Sequence, residues 1–265
     1  MCTVTFLPGL PRGGWLLATN RDESPRRLPA LAPYATEIGG RLVLAPRDAD
    51  AGGTWIGVDE QGFALTILNG DRPAAAPPPG NPVSRGRLVL ELLELRDVDA
   101  VDSELRRCAQ AGEMPYRPFK LVVVETGRGG APAALRRADW DGRSLTLAAT
   151  TGPQCITSST LQPEAVAEAR CAAFARFLEG VRPRLREDAS AADLDALAAA
   201  LHDFQASHRP EAPAGDALSV CMHRPEARTV SSTLVLVGPQ VVRMDYQPGW
   251  PCQDGELHVV ELERA

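Results

Sequence analysis

CTVTFLPGLPRGGWLLATNRDE, residues 2–23, is the stretch on which the fold turns. CTVTFL (2–7) alternates and reads as a strand, PGLPRGG (8–14) as a turn, and WLLATN (15–20) as a second strand. The chain therefore opens with a β-hairpin. In a hairpin the end of the second strand lies beside the start of the first. Asn20, Arg21, Asp22 and Glu23 are carried toward Cys2, although NRDESPRR (20–27) itself reads as polar and loop-like.

Downstream of this hairpin the same alternation recurs. RLVLA (41–45), TWIGV (54–58) and GFALTILN (62–69) read as strands, with DEQG as a turn between the last two. Residues 70–83 form a proline-rich loop. Ser84 stands where a helix cap belongs, and Leu88, Leu92 and Leu95 then share one helical face. A second helix is expected over 98–111, strands over 119–125 and 144–150, and alanine-rich helices over 163–180 and 189–207. Strands over 229–237, 240–246 and 256–262 close the chain. Strands in hairpins, interrupted twice by helices, argue for antiparallel sheets covered by helices and against a doubly wound parallel fold. The pattern shows no repeat and no domain boundary, so residues 1–265 read as a single domain.

Composition narrows the function. Of 265 residues, 44% are hydrophobic and 23% charged, as in ordinary globular proteins, and the net charge of -6 is unlike a nucleic-acid binder's. Lys120 is the only lysine. The six cysteines have no CxxC spacing, and a chain of this length has no need of disulfide staples. No signal peptide and no run of roughly 18 apolar residues is present, so the expectation is a cytoplasmic protein with reduced thiols and no membrane span.

Cys2 raises the chemical question. Removing Met1 would place a free amine, pKa about 7.7–8.0, on the residue that carries a nucleophilic thiol. One residue would then supply both nucleophile and base. Equally, Cys2 reads as a small side chain packed beside Val4 and Phe6. Arg21 could lower the thiol pKa or bind a carboxylate, and Asp22 could hold the terminal ammonium; the same run also reads as a solvated turn. Gly52-Gly53 before Thr54-Trp55 permits either a close backbone approach to a ligand or a plain turn. Asn69-Gly70 at a strand end suits an oxyanion donor or a turn. Cys221-Met222-His223 has no second pair in sequence, and His202 and His208, six apart on an expected helix, do not share a face. No metal is expected.

Cys2, Asn20-Arg21-Asp22-Glu23, Pro46-Arg47-Asp48, Gly52-Gly53-Thr54-Trp55-Ile56-Gly57, Asn69 and Ser84-Arg85-Gly86 together resemble the NRDE family, named for its Asn-Arg-Asp-Glu motif. The resemblance is carried by residues 1 to about 95, with TSSTL (157–161) and TVSSTLVLV (229–237) beyond. It implies an α+β fold: the four-layer αββα sandwich of antiparallel sheets found in N-terminal-nucleophile hydrolases, with choloylglycine hydrolases and penicillin V acylases as distant relatives. Laid residue by residue onto this chain, it implies Cys2 as nucleophile, Asn20 and Asp22 as the acylases' Asn and Asp, and Asn69 as oxyanion donor. Two positions depart from the acylase pattern. Thr19 stands where an arginine precedes the Asn, and Thr157-Ser158-Ser159 stands where a second oxyanion asparagine belongs.

The expected function is hydrolysis of a non-peptide carbon–nitrogen amide bond after loss of Met1. Cys2, Asp22 and Asn69 would be catalytic, and Asn20, Arg21, Glu23, Thr54, Trp55 and Ser158 would bind substrate or support the site. The partner is a small-molecule substrate or ligand, and no cofactor is expected. The alternative is a non-catalytic carrier of a small hydrophobic ligand on the same fold. A redox-active thiol is weaker, because no resolving cysteine is paired with Cys2 in sequence.

Overall fold

The computed structural model describes residues 2–71, 83–127, 129 and 131–265. Met1 and most of the proline-rich loop, 72–82, lie outside them. The opening hairpin forms from Cys2–Leu10 (β1) and Gly14–Glu23 (β2), with Cys2 opposite Arg21. The expected loop at 20–27 is half strand: Asn20 to Glu23 are the last residues of β2. They stay extended because β2 is paired on both edges and because Asn20 and Asp22 find buried partners.

Sheet B follows: Leu31–Ile38 (β3), Arg41–Arg47 (β4), Ile56–Asp59 (β5), Ala64–Asn69 (β6), Phe119–Glu125 (β7), Ala134–Trp140 (β8) and Leu145–Thr150 (β9). These seven strands are hydrogen-bonded in chain order, every pair antiparallel. Gln154–Ser158 (β10), Arg228–Val237 (β11), Val241–Pro248 (β12) and His258–Glu263 (β13) join the hairpin in sheet A, in the order β10-β1-β2-β11-β12-β13. β3, β8 and β10 were not legible as strands. β3 is largely solvent-facing, and β8 carries charged residues where a half-buried strand would alternate.

Helices Arg85–Leu93 (α1) and Val98–Ala111 (α2) cover sheet B, and Pro163–Val181 (α3) and Ala191–Gln205 (α4) cover sheet A. The result is the expected αββα order. Asp97 caps α2 by accepting from Ala100 N at 2.8 Å, and Ser190 with Asp193 forms a capping box on α4. Ser84 precedes α1, but its hydroxyl makes no capping bond. His208 lies beyond the end of α4. Among the described residues, no helix is long and apolar enough to cross a membrane.

Alternation along the hairpin assigns the two faces of sheet A. Val4, Phe6, Trp15 and Leu17 enter the core shared with sheet B, whereas Leu7, Leu16 and Ala18 pack with α3 and α4 through Phe174, Leu197 and Leu201. One charged side chain interrupts that second core. Arg170 sits on the stripe Val166-Arg170-Phe174 of α3 and is fully buried. Its guanidinium donates to Thr3 Oγ1 on β1 at 2.6 Å, to Asp22 Oδ2 on β2 at 3.1 Å and to Ala217 O at 3.1 Å. A buried charge survives only when paired and hydrogen-bonded, so α3 is held to the sheet in one register.

Two changes test these constraints by urea unfolding. Arg170→Met removes the guanidinium from a buried ion pair and is expected to cost about 3–5 kcal/mol; adding Asp22→Asn should recover part of it. Gly53→Ala would bring a Cβ to 2.5 Å from the carbonyl carbon of Gly86, where the backbone entering α1 passes, and is expected to cost about 1–3 kcal/mol.

Candidate active site

The site lies where the start of β1 meets the end of β6, between the two sheets. Cys2 is opposite Arg21 on one side and Ser158 on the other. Cross-strand partners share a face, and that face is turned toward sheet B. Cys2 and Arg21 line a cavity of about 340 Å³ together with Glu23, Asp48, Thr54, Trp55, Asn69, Arg85 and Arg117. Thr3, Asn20 and Asp22 turn their side chains the other way, toward α3 and α4.

The hairpin thus delivers two sets of groups. Arg21 faces the cavity: its Nη2 donates to Asp48 Oδ2 at 2.9 Å, and its guanidinium lies 4.7 Å from the centre of the Trp55 ring. Asn20 faces away, donating through Nδ2 to Gln205 O at 2.8 Å and Val220 O at 3.0 Å. It supports the strand from beneath rather than touching a ligand. The Asp22 carboxylate binds Arg170 and accepts from Thr229 Oγ1 at 2.7 Å.

Burial raises the Cys2 thiol pKa above its ordinary value, and the Asp22 charge acts in the same direction. The N-terminal ammonium opposes this most, with the Asp22 backbone and the Arg21 charge adding to it, without overcoming it. The thiol is therefore held protonated near neutral pH, and a nucleophilic role requires a base at the moment of attack.

Asp48 organises the cavity's far wall. The backbone N–H groups of Asp50 and Ala51 each donate to its Oδ1 at 3.0 Å, and the chain doubles back so that Gly52 N reaches Asp48 O at 2.8 Å. Gly52 takes φ +69°, and Gly53 fits against Gly86, whose carbonyl accepts from Thr54 N at 3.1 Å. Gly52-Gly53 and Ser84-Arg85-Gly86 are thus two halves of one backbone contact, and that contact brings Arg85 to the cavity. Burial works against ionised Asp48, but the donors of Ala51, Arg21, Arg27 and Asp50 outweigh it and hold the carboxyl below its usual range. Thr54 spends its hydroxyl on Ile56 O at 2.7 Å.

Arg27 pairs with Asp48 at 2.8 Å, with Asp50 at 3.3 Å and with Glu23 at 3.9 Å. Arg85 is different: it donates to Pro118 O at 2.9 Å and, like Arg117, has no carboxylate partner among the described residues. Burial lowers the Arg85 pKa. Ser158 Oγ is buried without a hydrogen-bond partner among the described residues. Below them Lys120 joins Asp71 at 2.6 Å and donates to Thr157 O at 2.7 Å, and Asp71 accepts from Ser159 N at 3.0 Å. The one lysine of the chain thereby ties β7 to the end of β10 beside the site. Sequence reasoning missed Arg170, Arg85 and the Lys120–Asp71 pair. Arg170 carried a signal, as a charge on an otherwise apolar helical stripe, and Arg85 another, inside the Ser84-Arg85-Gly86 segment.

Two solved structures of conjugated bile acid hydrolase from Clostridium perfringens, both mutant forms, share this fold at 10% sequence identity. One has a TM-score of 0.54 and covers 98% of this chain and 92% of its own. The other has a TM-score of 0.57 and covers 97% and 92%. No curated protein matches the sequence. The sequence does match the family described as Transport and Golgi organisation 2 over residues 1–227, and the chain belongs to that family.

Proposed function

We propose that this protein is an N-terminal cysteine hydrolase of a carbon–nitrogen amide bond. The observation that carries the reading is the position of Cys2: first residue of an interior strand, thiol on the cavity face, with Asn69 lining the same cavity. The fold shared with a bile acid hydrolase supports it.

With Met1 removed, the Cys2 amine takes the thiol proton and the thiolate attacks the substrate carbonyl. Asp22, fixed by Arg170, orients the ammonium. Asn69 and the unpartnered Ser158 hydroxyl donate to the tetrahedral oxyanion, each donor contributing about 3 kcal/mol to the barrier reduction. The ammonium then protonates the leaving nitrogen, and water cleaves the acyl-enzyme. Arg21, held by Asp48 and stacked on Trp55, is a positioning residue for this wall. Arg85 and Arg117 leave uncompensated positive charge, which favours a substrate bearing an anionic group. A lining of this polarity also argues against the alternative of a carrier for a hydrophobic ligand.

Three measurements test the reading. Intact mass of the purified protein should show loss of Met1; retention of Met1 in all of the folded protein removes the proposed base and overturns the mechanism. Against a panel of N-acyl amides, Cys2→Ala should abolish turnover and Asn69→Ala should lower kcat by about 10²–10³-fold. Equal, background-level turnover by wild type and Cys2→Ala favours the carrier instead. Arg85→Met should raise KM for anionic substrates about tenfold with little change for neutral ones, as expected for one lost charge-assisted hydrogen bond.

A further inference from the structure

A second cluster lies away from the cavity, in the loop between α4 and β11. In sequence, Cys221 and His223 have no visible partners. The fold supplies them: His208 from the start of the same loop and Cys252 from the β12–β13 connection. One ligand atom from each of the four lies within 4.8 Å of all the others. His223 Nε2 is 3.4 Å from Cys221 Sγ and 3.1 Å from Cys252 Sγ. The His208 and His223 rings stand perpendicular with centroids 5.1 Å apart. A zinc ion held tetrahedrally by two sulfurs and two nitrogens sets its ligand atoms roughly 3.3–3.8 Å apart, given bond lengths of about 2.3 and 2.0–2.1 Å.

Three further features fit an ion better than a hydrogen-bonded knot. His208 Nδ1 lies 2.7 Å from Pro213 O, which places its proton on Nδ1 and leaves a lone pair on Nε2. That Nε2 is buried with no partner among the described residues. Backbone carbonyls orient metal-binding histidines in this way. Gly215, at φ +81°, passes so close to both rings that a Cβ there would lie 2.6 Å from His223 Cδ2 and 3.3 Å from His208 Cδ2. The cluster also admits no substrate-sized group: Cys221 is fully buried, and Trp250 packs over the His223 ring at 4.4 Å.

We propose that His208, Cys221, His223 and Cys252 form a structural zinc site. Two thiols lose their protons to solvent on binding, so two thiolates and two neutral imidazoles balance the divalent charge. Four protein ligands leave no open position, which makes the site a staple rather than a catalyst. It joins the α4–β11 loop to the β12–β13 connection. Cys221 lies between Val220, whose carbonyl holds Asn20, and Met222, whose backbone is bonded to Thr229, the residue that donates to Asp22. The staple therefore fixes the underside of the Cys2 site, yet it stands independently of any reaction there.

The full-length chain, stripped with chelator and kept reduced, is titrated with Zn²⁺ against a chromophoric competitor and separately with Co²⁺. One equivalent of zinc per chain is expected, with thiolate-to-cobalt charge transfer and tetrahedral ligand-field bands, and a rise in melting temperature on loading. Cys221→Ser and Cys252→Ser should each weaken binding at least about 100-fold, at or beyond the effect of losing an outer-shell partner. Cys155→Ser, at a thiol elsewhere in the fold, should bind as wild type. No uptake by folded, reduced wild type overturns the proposal. So does full retention of binding in the Cys221→Ser, Cys252→Ser double variant. Should those variants fail to fold, the cobalt spectra of wild type and Cys155→Ser decide: thiolate charge transfer in both supports the site, and its absence overturns it.

Discussion

The contact on which the rest of the molecule depends is a buried ion pair, Arg170 with Asp22. Both side chains are fully shielded from solvent. Such a pair adds little net stability compared with well-packed apolar residues, but breaking half of it is costly. Its value is positional. Through Thr3, Asp22 and Ala217, one guanidinium sets α3 against two adjacent strands and a loop. Those two strands present Cys2 and Arg21 to the cavity on the opposite face. Helix, sheet and cavity are registered by a single side chain.

Sheet A consequently has a polar underside beneath the strands that line the cavity. Thr3, Thr5, Asn20 and Asp22 are all buried there, and Arg170, Gln205 and Thr229 answer them from α3, α4 and β11. A sheet packed only on aliphatic side chains could slide slightly without losing much. Directional hydrogen bonds do not allow that freedom. The NRDE run therefore divides its work by pleat: Arg21 and Glu23 reach the cavity, while Asn20 and Asp22 anchor the strand.

The hairpin, the two pairs of helices and the closing strands were legible because period-2 and period-3.6 patterns are written locally. Helices 98–111 and 163–180 fall within a residue of α2 and α3. β3 and β8 escaped because solvent-facing and charged positions blur alternation. At the site, Cys2 and Asn69 were legible through strand ends. Arg21 lines the cavity beside Cys2, whereas the inward turn of Asn20 depends on pleat phase and on carbonyls at positions 205 and 220. Arg85 and Lys120 stood out in sequence, one in the Ser84-Arg85-Gly86 segment and one as the single lysine, but not as site residues, for a related reason. Their roles arise from the contact of Gly53 with Gly86 and from the juxtaposition of β7 with β10, neither of which has a local signature. The His208–Cys252 pairing belongs to the same class of long-range accident.

β1 is an interior strand, bonded to β2 on one side and β10 on the other. During synthesis its first neighbour arrives almost at once, but the segment that covers its other edge ends at Ser158. At about 5–20 residues per second that segment follows on the order of 10 s later. For that interval one edge of β1 has no partner strand. Afterwards it is clamped within the sheet. The strand that carries Cys2 is in this way completed by its more distant neighbour: the cavity face of sheet A is whole only once β10 has been made.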